Sequence, residues 1–328
     1  MSDHHKYIII IVGPTAAGKT DFSLKLAQHM RAQIINMDMG QFYTPLSIGT
    51  AKPDWQNISI AHHLFDIINE PKNITVTQYR AMVTEKINHI WACGDVPILV
   101  GGSGFYLKSL LFPPVSEISL VPQSRYDSID TSQLWQMLNE IDPVRAHAIH
   151  SNDAYRIKRA LAIWHTTGKK PSEQTPFYNP IAPFVLVHVT RDRPELYNSI
   201  NIRVDQMMQA GWLDEVSMLK DAGWADFLHA KKIIGYDDLL TYLSGKKTPE
   251  RLADTVSLIA QKTRNYAKRQ ETFWRMLEKD VGNVLKNQTT VRGRQSAITS
   301  FNLTLSDINL YIEQLLKLIW ACDQKKIN

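Results

Sequence analysis

Gly13-Pro14-Thr15-Ala16-Ala17-Gly18-Lys19-Thr20 follows directly on an apolar run at residues 7–12. A strand that runs into G-x-x-x-x-G-K-T is a phosphate-cradling loop. The glycines let backbone N–H groups turn onto phosphate oxygens, Lys19 neutralises their charge, and the Thr20 hydroxyl is offered to Mg²⁺. A glycine-rich turn with an exposed lysine would match the same pattern. Here, though, Phe22, Leu26 and Met30 recur behind it at helical spacing, so the loop joins a strand to a helix. The chain is expected to bind a di- or triphosphate, with Mg²⁺ as its cofactor.

Asp38 ends a second apolar run, Ile34-Ile35-Asn36-Met37. A carboxylate there can hold Mg²⁺, act as a general base, or cap a turn. The run at 97–100 ends instead in Gly101-Gly102-Ser103-Gly104, with no acid, which weakens an ordinary ATPase reading. Arg203 lies on a helix predicted at 194–208, bordering the stripe Leu196, Ile200, Val204 and Met207. It either reaches a diphosphate or packs its stem on the core. A helix at 153–164 buries Ile157, Leu161 and Trp164 and crowds Tyr155, Arg156, Lys158 and Arg159 into its first turns. An aromatic among cations is a nucleic-acid contact or a solvated face. On a helix at 249–277, Arg264, Lys268 and Arg275 fall within about 40° of one another. That basic stripe holds one acid, Glu271, where a solvated face would mix its signs more evenly, and phosphate-backbone contact is the preferred reading.

Strand and helix patterns alternate around these residues: strands at 7–12, 33–37 and 97–100, helices at 20–31, at 77–93 and from Phe105. The rhythm predicts an α/β fold, a P-loop NTPase-like parallel sheet flanked by helices, with ligands at the carboxyl ends of the strands. Prolines at 113, 114 and 122 and at 171, 176, 180 and 183 interrupt it, and a buried strand resumes at 184–189. Residues 113–183 are therefore expected to form a small helical insertion domain in a core made of 1–112 and 184–328. The tail after Asp280 reads as polar, then as one apolar helix at 308–319. With 328 residues, 44% of them apolar and 21% charged, the composition is that of a globular protein. No run approaches the roughly 18 apolar residues of a membrane span. Two cysteines exclude a disulfide framework and a cysteine zinc site, which points to the cytoplasm. The net charge of +5 is mild support for a polyanionic partner. Nothing suggests a dedicated interface, so a monomer is expected.

Several motifs agree in order: GPTAAGKT at Gly13, IGTAKP at Ile48, HHLFDI at His62, LVGGS with YLK from Leu99, IHSND with RAL from Ile149, IGY at Ile234 and TRNYAKRQ at Thr263. From about residue 7 to 275 the chain resembles the bacterial-type tRNA dimethylallyltransferases. The resemblance implies transfer of a dimethylallyl group from dimethylallyl diphosphate to N6 of adenosine 37, next to the anticodon. It implies Asp38 as the base, with Ser103 in place of a threonine. Lys19, the loop amides, Mg²⁺ near Thr20 and Arg203 would hold the leaving diphosphate. Met39, Gly40 and Gln41, the helix residues Tyr155, Arg156, Ile157, Lys158 and Arg159, and Arg264, Lys268 and Arg275 would grip the anticodon stem-loop. This chain departs from the family at Ala17, Met39, Tyr155, Ser199, Asn265, Glu271 and Phe273, and its insertion is shorter by roughly one helix. Two other readings use the same first strand and loop: a small-molecule P-loop kinase, and an RNA-binding module that has lost its chemistry.

Overall fold

The isoleucine run before the phosphate loop forms β1 (Ile8–Val12), buried at every residue. β-Branched side chains suit a strand, and burial on both faces marks one inside a parallel sheet. This computed structural model describes residues 6–113, 122–174, 177–287 and 296–324. They divide into two units, Met1–Lys108 with Ile181–Asn328, and Ser109–Pro180.

In the first unit β1 is joined by β2 (Ala32–Asn36), β3 (His62–His63), β4 (Val96–Val100), β5 (Phe184–Thr190) and β6 (Ala297–Asn302). The order is β3-β2-β4-β1-β5-β6, with all pairs parallel. Helix α1 (Lys19–Gln28) follows the phosphate loop. It stops short of residue 31 because β2 starts at Ala32 and the chain must reverse first. Helix α2 (Val76–Ala92) starts at a capping box of Thr75 and Gln78 and buries Tyr79, Val83, Ile87 and Ile90. Helix α3 (Gly104–Leu111) leads towards the second unit, in which α4 (Thr131–Ile141), α5 (Pro143–His147) and α6 (Ala154–Thr167) enclose a core of their own around Tyr126, Leu134, Leu138 and Leu161. Residues 181–183, assigned to the insertion from sequence, lead into the sheet: Ile8 N–H donates to the Pro183 carbonyl at 3.0 Å.

After β5 come α7 (Arg193–Gln209), α8 (Trp212–Asp221), α9 (Ala225–Lys231), α10 (Tyr236–Leu243), the long α11 (Pro249–Asn287) and, beyond β6, α12 (Ile308–Gln324). Ile9 and Ile11 share one core with Phe22 and Leu26 of α1, Leu196 and Ile200 of α7, and Ile312 and Leu315 of α12. Ile8 and Ile10 point to the opposite face and are equally buried, while α2 packs against β2 and β4. Two strands escape the sequence reading. β3 spans two residues, too few to alternate. β6 lies in the stretch read as a polar tail, because an edge strand buries only part of its surface. Among the described residues no helix is long and apolar enough to cross a membrane.

Candidate active site

The chain leaves β1 towards β2 on one side of the sheet, and leaves β4 towards β5 on the far side of β1. The loops after β1 and β4 therefore part, and a crevice opens at the carboxyl ends of those strands. The phosphate loop forms one wall. A Cβ on Gly13 would lie 1.9 Å from the Val189 carbonyl oxygen, so β5 passes too close for any side chain there. Gly18 caps α1 in the left-handed region (φ 98°) with no side-chain cap. Among the described residues the N–H groups of Ala16, Gly18, Lys19 and Thr20 meet no protein acceptor, as an anion cradle requires. Lys19 folds over its own loop and donates to the Pro14 carbonyl at 2.8 Å. Burial lowers its pKa to about 8, a shift that Asp38 opposes and Arg203 reinforces. Thr20 is exposed, and its hydroxyl makes no hydrogen bond among the described residues.

Asp38 stands just past β2 and is fixed by backbone. Its N–H donates to Asn36 Oδ1 at 2.8 Å, and Asn36 Nδ2 donates back to the Asp38 carbonyl at 3.1 Å and to that of Leu64 at 3.0 Å. Asp38 caps a single 3-10 turn, Met39–Phe42, its Oδ1 accepting from Gly40 N–H at 3.2 Å. Its Oδ2 accepts nothing among the described residues. Burial raises the Asp38 pKa; Lys19 opposes this most, then the Gly40 bond and Arg203. Tyr79, Tyr106 and Tyr266 all feel the Asp38 charge, and Tyr106, raised first by burial, is pushed up to about 12. Arg203 projects from α7, half-buried, with no hydrogen bond or ion pair among the described residues. Burial pulls its pKa down and Asp38 lifts it. Two cations thus flank one carboxylate within electrostatic reach, yet no ion pair joins them.

The turn that carries Asp38 is buttressed from behind. Gln41 donates to the Thr50 carbonyl at 3.1 Å. The loop at 47–49 rests on Glu215 of α8, which accepts from the N–H groups of Ser47 (3.0 Å), Ile48 (2.7 Å) and Gly49 (3.3 Å) and from the Tyr236 hydroxyl (2.6 Å). Trp212 packs beside Gly49 and Gly235. The IGTAKP and IGY motifs are the two sides of this clasp. Sequence reading missed Glu215, one of three acids on its helix; the glycines in both motifs were its available signal.

Ser103 follows the Gly-Gly turn after β4, half-buried, its hydroxyl without a hydrogen bond among the described residues. Of the residues expected to meet RNA, Met39 and Gln41 are half-buried, while Gly40 is buried with its N–H spent on Asp38. On α6, Tyr155 is 67% exposed and Arg156 and Arg159 are exposed. Arg156 pairs with Asp153 at 3.3 Å and Lys158 with Asp127 at 2.7 Å. Ile157 is a correction: it is fully buried in the second unit's core and presents nothing to a ligand. On α11, Lys268 and Arg275 are exposed, and Arg264 donates to Asn201 Oδ1 at 2.6 Å. Glu271 does not interrupt that outer stripe. It turns inward and accepts from His188 Nε2 at 3.2 Å and Thr190 Oγ1 at 3.3 Å. Burial would raise its pKa, but the bonds from His188 and Thr190 and the charge of Arg275 outweigh it and hold the carboxyl below its usual range.

Comparison with known proteins supplies the family. Residues 41–277 match the family model described as IPP transferase. The tRNA dimethylallyltransferase of Pseudothermotoga lettingae is 38% identical over 274 residues, 82% of this chain and 86% of that protein. The tRNA dimethylallyltransferase of Bacillus subtilis is 38% identical over 291 residues, 84% of this chain and 90% of that one. The crystal structure of the full-length tRNA isopentenylpyrophosphate transferase from Bacillus halodurans aligns with TM-score 0.67 and 32% identity over 98% of both chains. A eukaryotic dimethylallyltransferase acting on tRNA aligns with TM-score 0.78 and 26% identity, over 95% of this chain and 77% of that one. A family match across most of the chain, with relatives 38% identical over more than four fifths of it, leads to one conclusion: the chain belongs to the IPP transferase family.

Proposed function

We propose that this protein transfers the dimethylallyl group of dimethylallyl diphosphate to N6 of adenosine 37 in tRNA, releasing diphosphate. The observation that carries the proposal is the convergence of Lys19, Arg203 and Asp38 at one crevice, with Asp38 Oδ2 free of protein donors. An exocyclic adenine amine is a weak nucleophile because its lone pair is delocalised into the ring. The N–C bond forms as the C–O bond to diphosphate breaks; the diphosphate takes the bonding pair and the amine proton passes to Asp38. A carboxylate with a raised pKa is the better base for this step. The free amides of the phosphate loop, Lys19 and Arg203 hold the negative charge that develops on the leaving group. Ser103, on the β4 loop, would offer its hydroxyl to the reacting groups.

Thr20 is the residue that would hold Mg²⁺. Among the described residues there is no group of three or more His, Cys, Asp or Glu fit to hold a metal. Mg²⁺ commonly keeps waters and substrate phosphates instead of filling an all-protein cage, so one free hydroxyl beside the cradle suits it. Bound there, it would neutralise charge on the diphosphate.

The tRNA anticodon stem-loop is read as the partner of Tyr155, Arg156, Lys158 and Arg159 on α6 and of Lys268 and Arg275 on α11. The target base would leave its stack to reach the crevice, past Met39 and Gln41. The working unit is taken to be a monomer. The test is incubation with labelled dimethylallyl diphosphate, Mg²⁺ and an unmodified tRNA transcript, followed by mass spectrometry of the nucleosides. Label at N6 of adenosine 37 is expected. No label in RNA, or nucleoside triphosphate turnover without RNA, would reject the assignment.

A further inference from the structure

We infer that Gln270 is a positioning residue that locks the two walls of the crevice together, and that residue 102 is a glycine to make room for it. The kinetic part of this inference rests on the proposed transfer reaction; the structural part does not. Gln270 stands on α11. Its Oε1 accepts from Thr15 N–H, in the loop after β1, at 2.9 Å. Its Nε2 donates to the Gly102 carbonyl, in the loop after β4, at 2.9 Å. These are the two loops that the sheet topology drives apart. One planar amide therefore closes a gap that no β-ladder bond spans.

The chemistry admits only one orientation. Thr15 N–H can only donate and the Gly102 carbonyl can only accept, so the bridging group needs an acceptor and a donor side by side. Glutamine supplies both; glutamate lacks the donor. Gly102 has no positive φ, so its backbone suits any residue. A Cβ there would nevertheless lie 2.3 Å from Gln270 Nε2. What the glycine provides is space for the amide. The Gly-Gly turn after β4 and the glutamine that ends TRNYAKRQ are thus one device, split across 168 residues.

The clasp sets the spacing between leaving group and base. Thr15 N–H lies upstream of the free amides that face the anion, so Gln270 fixes the shoulder of the cradle without consuming its donors. On the other wall, a Cβ on Gly101 would lie 2.5 Å from the Met37 carbonyl, so the β4 turn rests directly against the residue before Asp38. Gln270 also lines a small pocket between the loops, with Val12, Gly13, Leu107, Phe273 and Trp274. Opening the clasp leaves each wall intact but shifts one against the other. Diphosphate affinity, set by the phosphate loop and Arg203 and not by the β4 wall, should survive, while the transfer rate, which needs both walls in register, should not.

The test compares Gln270→Ala, Gly102→Ala and the double variant. Single-turnover transfer to tRNA is expected to slow about 10- to 100-fold in each single variant. Affinity for inorganic diphosphate with Mg²⁺ should stay within about threefold, and the double variant should be no slower than either single, because both remove one interaction. Amide exchange at Thr15 should accelerate in all three. Multiplying effects in the double variant, wild-type transfer in Gln270→Ala, an equal loss of diphosphate affinity, or unchanged Thr15 exchange would each overturn the inference. Exchange and diphosphate binding are read without RNA, so a failure of the transfer reaction itself is distinguishable from a failure of the clasp.

Discussion

Asp38→Asn separates chemistry from architecture. Asn keeps an Oδ1 acceptor, so the bond from Gly40 N–H at 3.2 Å and the 3-10 turn it caps should persist. Asp38→Ala removes that bond and should cost about 0.5–2 kcal/mol of stability, the usual cost of a lost cap. The asparagine variant loses the negative charge and, with it, the ability to take a proton. Removing a general base costs about 10²- to 10⁴-fold in rate, roughly 3–5 kcal/mol of barrier. A second signature accompanies it. Asp38 is the strongest influence holding the Lys19 pKa up to about 8, so in Asp38→Asn that pKa should fall further and the alkaline loss of diphosphate binding should move to lower pH. The assay is single-turnover transfer with excess enzyme and labelled donor, beside urea unfolding and diphosphate titration across pH. Transfer within about tenfold of wild type, with stability intact, would refute the reasoning, because Asp38 would then be a turn cap and nothing more.

Four further outcomes are expected. Arg203→Ala should weaken diphosphate binding about 10- to 100-fold, the worth of charge-assisted bonds, and Arg203→Lys should recover only part for want of a planar fork, as read by calorimetry. In the wild type, bound diphosphate should raise the lowered Lys19 pKa, so binding takes up a proton above about pH 8 and affinity should fall as pH rises through that value; the same lowering makes the native state bind fewer protons than the unfolded one there, so Lys19's contribution to stability should grow with pH, a sign that denaturant titrations can check. Glu215→Gln should lower stability by about 1–3 kcal/mol in urea, since at least one of the bonds that converge on the carboxylate is lost in a buried place. Removing Lys268 or Arg275 should weaken tRNA binding, leave diphosphate affinity alone, and reduce the salt dependence of RNA binding by about one per residue.

Local patterns carried much of the fold. An all-buried isoleucine run, a glycine-rich turn and an amphipathic helix announce themselves within a few residues, because each is a periodic demand of one element on its own burial. Asp38 was legible for the same reason, as the polar residue where an apolar run ends at the ligand-binding edge of a sheet. Ile157 also follows the rule: its helical spacing marked it as core, and its neighbours' charges drew it into the expected RNA contact.

What the amino-acid sequence determined by itself was therefore the alternation of strands and helices that builds most of the parallel sheet, the phosphate loop and the candidate carboxylate, all legible in local patterns. Only the tertiary structure decided that Glu271 faces His188 and not solvent, that Glu215 holds the loop behind Asp38, and that Gln270 ties two loops across the crevice. A single polar side chain has no period, and its partner lies 83, 167 or 255 residues away. Such a pairing exists only once the helices have been laid across the strand ends.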